Sequence, residues 1–347
     1  MSNPSILALV NQFGVKVRTQ KKIRGGIYRI ATPSGHSFSL KRMPKHAAKL
    51  KWIDRALLHV QRSGLLVAWR NPQKPEGRRT YGVSKKGEMF VLTPWISGKQ
   101  PSPRSLVDMQ ACGMTLARLH EAGHELLKRD FANNQIGKWY PTLQNRRRYI
   151  QKKIGIANQN GFRQPLNLFL KKHGPEIIRY AKQADDLLKR SGYQNCRCSP
   201  RTHGVLCHGD GGPSNFILHD EGTYLIDFET LQVNLRAYDL YRIIYNSCKD
   251  YKWDFSIAKS ILDGYRQIAT LNKTDYKLMS VWLRFPLSSY LVLSPFKRIP
   301  FTTKRLQWAL DSERKISVFL QELNEYAKKH TPDHPEKIEK ETWSEAL

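Results

Sequence analysis

The most constraining feature of this chain is the run from Leu206 to Asn215, which reads LCHGDGGPSN and which Asp227 follows twelve residues later. Short apolar runs flank it, and glycines, a proline and an acidic turn separate those runs. This pattern predicts a strand, a tight loop, a strand, a turn and a third strand. The order brings Asp210, Asn215 and Asp227 to one edge of a small hairpin. Oxygen ligands that converge from strand ends suit a hard cation such as Mg²⁺.

The spacing of these residues is also that of a phosphoryl-transfer site. In such a site one Asp orients the acceptor hydroxyl, an Asn five residues later binds a metal, and a second Asp bridges metal and phosphates. A polar turn with a capping Asp is the alternative explanation. The joint pattern H-G-D-x-x-x-x-N plus apolar-apolar-Asp-Phe-Glu is far more specific than either part. We therefore predict Asp210 as the catalytic residue, Asn215 and Asp227 as Mg²⁺ ligands, and ATP or another NTP as the phosphate donor.

Both motifs resemble the catalytic and metal-binding loops of the aminoglycoside phosphotransferase and choline kinase group of kinase-like proteins. The resemblance implies an α+β, protein kinase-like fold of two lobes, with Asp210 as the base. We expect a small, β-rich nucleotide-binding lobe over residues 1–97. A larger helical lobe over residues 98–330 would carry the catalytic and metal-binding loops. Residues 331–347 are polar with two prolines, and we expect a mobile tail there.

The first lobe supplies candidates for holding the nucleotide phosphates. Residues 21–42 alternate and turn like a β-hairpin, which Gly25 and Gly26 open and which ends in a strand carrying Lys41. A glycine pair on one strand and a lysine near the end of a following strand are how a kinase lobe covers and grips phosphates. We predict Gly25, Gly26 and Lys41 as nucleotide-binding residues.

A boundary between the lobes is predicted where the chain leaves the sheet, from Thr93 to Gly98. Pro94 and Gly98 near its two ends suit a boundary between two lobes. In this architecture the segment is the hinge, where exposed backbone groups read an adenine edge, so we place Thr93 and Trp95 in the nucleotide site. The alternative is a plain strand-to-helix linker.

One expected residue of a kinase lobe is missing from the sequence. Residues 46–63 read as a helix with an apolar stripe, and in an active kinase lobe this helix usually carries a Glu that pairs with Lys41. Asp54 is the only acid between Lys41 and Glu76. Because Asp is one methylene shorter, the ion pair is either remade by Asp54, bridged by water, or absent.

The charge of the chain is strongly positive, at a formal +29. Residues 1–104 hold 21 Lys or Arg against 3 acids, so the first lobe is especially basic. Such a protein should meet polyanions, anionic polymers or an acidic protein partner, unless the charge only solvates the surface. We do not expect nucleic acid as a partner, because the sequence has no recognised nucleic-acid module.

Cysteine usage and hydropathy exclude other classes of protein. Five scattered cysteines are too few for a disulfide scaffold, which indicates a reducing compartment. Cys196, Cys198, Cys207 and His208 have poor spacing for zinc, and His208 already belongs to the catalytic motif. The most apolar stretch, 285–296, contains two prolines. It predicts a buried helix and no membrane partner.

Three further regions have predicted supporting roles. His120 ends a helix over 105–125 and is interpreted as a packed or capping histidine. Asp239 at the start of a later helix is interpreted as a cap of that helix and a tether for the catalytic hairpin, without a chemical role. The basic, helical insertion over 131–193 is where we expect the elements that select the phosphate acceptor, which the sequence does not name.

Over residues 20–320 the chain also resembles the CotS-type spore coat proteins. The resemblance rests on the catalytic motifs and on four other segments, residues 92–98, 116–120, 137–139 and 188–193. It implies a coat-associated kinase, made in the mother-cell cytoplasm and then resident in the spore coat. Its acceptor would be a hydroxyl of an unknown small molecule or coat protein. The alternative is a weakly active or inactive structural coat protein on a kinase fold, whose basic surface binds acidic coat or cortex components.

Overall fold

The computed structural model describes residues 4–159, 165–294 and 302–331. Its first lobe is built from α1 Pro4–Asn11, β1 Thr19–Arg24, β2 Ile27–Ala31, β3 Ser37–Met43, α2 Ala47–Arg62, β4 Gly82–Val83 and β5 Met89–Pro94. Across the described ranges these strands form one antiparallel sheet in the order β1-β2-β3-β5-β4. The predicted β-rich first lobe is therefore present.

The glycine pair joins two strands. Gly26 has a φ of +75°, a conformation that favours glycine, and it completes the turn between β1 and β2. The pairing of β2 with β3 is as predicted, with Tyr28 opposite Leu40. The prediction missed β1, because almost all of its residues are exposed and its sequence, TQKKIR, shows no apolar alternation.

The sheet and α2 bury two apolar surfaces. Phe13 of the segment after α1 packs in a cluster with Ile30, Leu40 and Leu92 of the sheet. The predicted stripe of α2 is buried and joins the core that continues into the second lobe; its residues are Leu50, Ile53, Leu57 and Val60. Because α2 packs on that common core, the catalytic loops and the sheet keep a fixed relation.

The second lobe is mostly helical, as predicted. Its helices are α3 Leu106–Arg129, α4 Trp139–Gln159, α5 Pro165–Lys189, α6 Tyr193–Cys198, α7 Pro200–His203, α8 Arg236–Cys248, α9 Phe255–Arg266, α10 Lys273–Arg284, α11 Leu287–Leu293 and α12 Thr303–His330. Two small antiparallel pairs carry the catalytic region: β6 Gly204–Cys207 with β9 Gln232–Leu235, and β7 Phe216–His219 with β8 Gly222–Leu225.

Two backbone contacts join the lobes. A strand predicted at residues 65–67 is wrong: Val67 makes only an isolated bridge to Leu225 of β8. Hydrogen bonds from Ala68 N–H to Leu225 O (2.9 Å) and from Leu225 N–H to Leu66 O (3.0 Å) hold it there. The hinge is anchored likewise, because Lys99 exchanges both backbone hydrogen bonds with Leu218 of β7.

One predicted helix is divided in two. The helix expected over 275–294 is interrupted between α10 and α11, because Pro286 lacks the N–H that a continuous helix needs. The apolar stretch 285–296 is described only as far as Ser294, and α11 lies within it. In the described ranges, no helix combines the length and hydropathy needed to cross a bilayer. Residues 332–347 of the predicted tail lie outside the described ranges.

A buried acid in α12 predicts how stability depends on pH. The carboxylate of Glu313 accepts hydrogen bonds from Ser289 N–H (2.8 Å) and from the Ser289 hydroxyl (2.7 Å). Burial nevertheless raises the pKa of Glu313 to about 7, from 4.5. Because the folded state holds this proton more tightly, the contribution of Glu313 to stability is greatest below pH 4.5 and falls by about 3 kcal/mol as the pH rises through 7.

Glu313→Gln should remove this dependence. Urea unfolding of both proteins at pH 5 and pH 8 measures it: the variant gains about 3 kcal/mol relative to wild type between the two values. Replacing Glu325 by Gln, at an exposed position of the same helix, is the matched control and should leave the difference near zero. Equal pH responses of Glu313→Gln and wild type would contradict the prediction.

Candidate active site

The catalytic loop is fixed from beneath by Asp239 of α8. This fully buried carboxylate accepts hydrogen bonds from the backbone N–H groups of His208 (2.6 Å) and Gly209 (2.8 Å). Its Oδ2 lies 3.2 Å from Nε2 of buried His120, whose Nδ1 lies 2.8 Å from the hydroxyl of Tyr265. Burial opposes ionisation, but these contacts lower the pKa of Asp239. The predicted tether and packed histidine are confirmed, but the prediction that Asp239 caps α8 is wrong, because Asp239 lies inside the first turn and Leu235 is the N-cap.

Gly209 lets the loop pass close to the segment after β8. Its φ is +84°, and a Cβ atom there would lie 2.3 Å from the carbonyl oxygen of Thr230. The Thr230 hydroxyl donates to His208 O at 2.9 Å, which holds the two segments together. A glycine is thus required directly before Asp210.

Asp210 lies at the loop surface with one oxygen engaged. Its carboxylate forms a close ion pair with the guanidinium of Arg242 on α8. The Asp210 side chain is 45% exposed, so a second molecule can reach it. A carboxylate held in place by a cation and open to solvent can orient a hydroxyl and take its proton.

Asn215 and Asp227 are brought side by side by the backbone. The side-chain N–H of Asn215 donates to Asp210 O at 2.7 Å, and Ile226 N–H donates to Asn215 O at 3.0 Å. The amide oxygen of Asn215 therefore faces away from Asp210. Asp227 has a φ of +69°, which turns the chain sharply after β8. An amide oxygen and a carboxylate are the hard donors that Mg²⁺ prefers, so these residues fit the metal.

Lys41 of β3 reaches across to the metal-binding loop. Its ammonium forms a close ion pair with Asp227, and it lies 3.1 Å from the carboxylate of Glu229. Lys49 of α2 donates to the backbone oxygen of Glu229 at 2.8 Å. Burial lowers the pKa of Lys49, and the charge of Glu229 partly offsets that effect. The acid that pairs with the strand lysine therefore comes from the loop and not from α2.

Asp54 does not take the place of the missing helix glutamate. It is buried and forms an ion pair with Arg70. It also accepts hydrogen bonds from Trp69 Nε1 (2.9 Å) and the Thr80 hydroxyl (3.2 Å). Of the three possibilities left by the sequence, the pair between Asp54 and Lys41 is absent. Asp54 instead fastens the loop that follows α2.

Asp54→Ala should therefore cost stability and not nucleotide binding. Removing one partner of a buried ion pair leaves the Arg70 charge uncompensated, so we expect a loss of about 3 kcal/mol in the free energy of unfolding. Urea unfolding measures the loss, and ATP titration of the folded variant should give a wild-type dissociation constant. Asp186→Ala, at an exposed pair with Lys189, is the control and should change little. A weakened ATP affinity in Asp54→Ala would contradict this assignment.

A cavity of about 340 Å³ lies between the lobes. Lys41, Thr93, Trp95 and Asp227 all line it, together with apolar residues such as Val91. A cavity lined mostly by apolar residues, with a few polar groups among them, suits a nucleotide.

The glycine pair lies beside this cavity. Gly25 lines an adjoining recess with Lys41, Asp227 and Glu229. Gly26 packs on Arg42 instead, since a Cβ there would meet the Arg42 side chain at 3.1 Å. The structure thus brings Gly25 to the predicted phosphate end and places Gly26 in the turn itself.

Several side chains that could ligate a metal lie near the catalytic loop. In the part of the chain that the structure describes, Cys196, Cys198, Cys207 and His208 do not converge. His120, Cys207 and Asp239 do lie together and are buried. Both ring nitrogens of His120 already have partners, so this cluster is part of the tether and not an open metal site.

Sequence reasoning missed two residues of the site, Glu229 and Arg242. Glu229 had a signal, because it is the acid of the Asp-Phe-Glu motif and lies two residues after Asp227. Arg242 had none, since it is one of 58 basic residues and contacts Asp210 only after α8 packs under the loop.

The fold is that of a kinase-like phosphotransferase. The sequence profile of the phosphotransferase enzyme family (APH) matches residues 26–276. The chain therefore belongs to that family. Among curated proteins, none matches the sequence.

Solved structures show the same fold. An aminoglycoside phosphotransferase from Alicyclobacillus acidocaldarius has 19% identity and a TM-score of 0.77, with 95% of this chain and 98% of that chain covered. A microcompartment-associated aminopropanol kinase has 17% identity and a TM-score of 0.62, over 92% and 98% of the two chains. The amicoumacin kinase hAmiN, in complex with AMP-PNP, Ca²⁺ and Ami, has 13% identity and a TM-score of 0.57, over 96% of both.

Proposed function

We propose that this protein transfers the terminal phosphate of ATP, with Mg²⁺, to a hydroxyl group of a small molecule or a coat protein. One observation carries the proposal: the ion pair of Lys41 and Asp227 lines the interlobe cavity, and Asn215 links the backbone of Asp210 to that of Ile226, directly before Asp227. A cation for phosphate, oxygen donors for a metal and a base for a hydroxyl are the three parts that phosphoryl transfer needs. The aminoglycoside and amino-alcohol kinases of the same fold support it.

In this reaction Asp210 accepts the proton of the acceptor hydroxyl. The hydroxyl oxygen bonds to the γ-phosphorus as the bond from that phosphorus to the bridging oxygen breaks, and ADP leaves with the electron pair. Arg242 holds one oxygen of the Asp210 carboxylate and so orients it. The Asp210 side chain is 45% exposed, so an acceptor can approach it.

Lys41 and the metal ligands serve the phosphates. Asn215 and Asp227 would hold Mg²⁺, with Glu229 as a nearby third oxygen donor, and the bound ion neutralises charge on the phosphate oxygens. Lys41 keeps Asp227 in position and adds a cation at the same end of the cavity. Most of the rate acceleration would then come from the positioning of the reacting groups and from stabilisation of the charge on the phosphate.

The biological setting that we propose is the spore coat. The CotS-like segments support a protein made in the mother-cell cytoplasm and then placed in the coat, where acidic coat proteins or anionic polymers would be its partners.

A second function, structural adhesion, is favoured by one observation. The edge strand β1 exposes Lys21, Lys22 and Arg24 along an open sheet edge. A pull-down of coat proteins should weaken with salt if charge drives it, and salt-independent capture would count against adhesion.

Binding of nucleotide tests the catalytic proposal. AMP-PNP with Mg²⁺ should raise the melting temperature of the protein, and AMP-PNP with EDTA should raise it less, because the metal links the phosphates to Asn215 and Asp227. Lys41→Ala should reduce the shift. No shift with Mg²⁺ and nucleotide would reject the enzyme and leave the adhesive function.

A further inference from the structure

A second cavity, of about 380 Å³, lies in the helical lobe. Arg242 lines it and at the same time contacts the Asp210 carboxylate. Its walls come from α4, α8 and α10 to α12, so it includes part of the predicted acceptor-selecting insertion. A molecule in this cavity would have a group within reach of the base.

Aromatic rings form a continuous wall of this cavity. The ring of Trp139 lies 4.6 Å from that of Tyr238 and 5.1 Å from that of Trp282, measured between centroids. Tyr241 continues the wall, 5.9 Å from Trp282. Burial raises the pKa of both tyrosines, so their phenols are neutral at physiological pH. Neutral aromatic side chains such as these can pack against the face of a ring-shaped molecule.

The charges around the cavity all have one sign. Arg146, Arg242 and Lys249 line it, and no described residue that lines it carries a carboxylate. The guanidinium of Arg146 lies 5.4 Å from the centroid of the Tyr290 ring. Lys249 lies 5.5 Å from the ring of Tyr245. A cationic acceptor would meet the like charges of Arg146 and Lys249, whereas an anion would be attracted to them; the charge of Arg242 is already paired with Asp210.

Two buried donors in the wall have no acceptor within the described ranges. They are the indole N–H of Trp282 and the Nε–H of Arg242. Trp282 is only 2% exposed, so water has little access to it. A buried N–H without a partner is unfavourable, and native proteins usually satisfy it. Together with the basic side chains, these unpaired N–H groups favour a ligand with several oxygen acceptors.

We propose that the phosphate acceptor is a small hydroxylated ring compound that carries a carboxylate or a phosphate. This inference rests on the proposed function, since the cavity is assigned through Arg242, which lines it and pairs with Asp210. The acid group binds among Arg146, Lys249 and Arg242, the ring lies on the aromatic wall, and a hydroxyl faces Asp210. That hydroxyl loses its proton to Asp210, gains the γ-phosphate of ATP, and ADP is released.

Charge fractionation of possible acceptors tests the proposal. A deproteinised small-molecule extract of sporulating bacteria is divided into material retained on an anion exchanger, material retained on a cation exchanger, and the remainder. ADP formation from Mg²⁺ and ATP is measured with each fraction, and the Asp210→Asn protein serves as the blank. We expect activity in the anion-exchanger fraction. Phosphatase treatment of that fraction then separates the two sources: lost activity indicates a phosphate and retained activity a carboxylate.

The other outcomes are equally informative. Activity confined to the cationic or neutral fraction would overturn the anionic acceptor and leave the kinase in place. Activity in no fraction would also overturn the anionic acceptor. The Mg²⁺-dependent shift of the melting temperature with AMP-PNP then tests the proposed function: a shift supports the nucleotide site, and no shift rejects the phosphotransferase as well.

A charge reversal in the cavity provides the matched test. Arg146→Glu should raise the KM for the active fraction at least 10-fold, while kcat and the KM for ATP stay within about 2-fold, because the change affects acceptor binding alone. Arg148→Glu makes the same change at an exposed position of α4 and is the control. Equal KM values for the two variants would contradict the placement of the acid group.

Discussion

Asp210→Asn should lower the rate of phosphate transfer by about 10³-fold and leave nucleotide binding unchanged. General-base catalysis contributes about 10²- to 10⁴-fold, and the amide cannot take the proton of the acceptor. The amide oxygen still accepts from Arg242, so the loop should keep its position. The measurement is ADP release in the presence of the small-molecule extract, beside AMP-PNP binding with Mg²⁺ on the same preparation.

The control for this variant lies in the turn after β7. Asp220→Asn changes the charge by the same amount at an exposed position, and it should keep the wild-type rate. If Asp210→Asn kept more than a tenth of the wild-type rate, Asp210 would not be the base.

Asp227→Asn should remove the Mg²⁺-dependent part of nucleotide binding and reduce transfer by more than about 10²-fold. Two effects contribute: Asp227 is a proposed metal ligand, and it also positions Lys41. Metal stabilisation of a phosphoryl transition state is worth several kcal/mol, which a neutral amide only partly preserves. AMP-PNP titration with Mg²⁺ and with EDTA measures the first effect, and ADP release measures the second.

Glu229→Gln is the comparison for that variant. The carboxylate of Glu229 also lies beside the Lys41 ammonium, at 3.1 Å. Its side chain is 40% exposed, however, and it is not one of the two predicted metal ligands. Its loss should weaken binding less than the loss of Asp227 does. Should the Mg²⁺-dependent affinity of Asp227→Asn equal that of wild type, Asn215 and Asp227 would not form the metal site.

The catalytic loops were predictable because their geometry is local. From Asp210 to Asp227 the chain spans 18 residues, and hairpin turns fix where each side chain lies. The tether by Asp239 was predictable as well, since an acid follows the strand pair at the start of a helix. The lobe, the strand lysine and the hinge follow from the order of elements and from the positions of glycine and proline.

Contacts made only by packing could not be predicted. Arg242 is 32 residues from Asp210 in sequence, and no motif distinguishes it from other arginines. The partner of Asp54 is Arg70, which lies in a loop without regular pattern. The exposed strand β1 has no apolar periodicity, because the sheet edge that it forms faces solvent.

The absence of the helix glutamate has a structural compensation. Lys41 pairs with two acids of the metal-binding loop, while Lys49 of α2 binds the backbone of that same loop. The helix thus contributes a cation where the usual pattern has an acid. The lysine still has a carboxylate partner, so the missing glutamate does not by itself imply an inactive protein.

The most direct measurement is transfer of label from [γ-³²P]ATP. Wild-type protein with Mg²⁺ and the small-molecule extract or coat protein should move label from ATP to a new product, EDTA should stop the transfer, and Asp210→Asn should form about 10³-fold less product. Binding of Mg²⁺ and nucleotide without any labelled product, or equal labelling by wild type and Asp210→Asn, would contradict a phosphotransferase that uses Asp210.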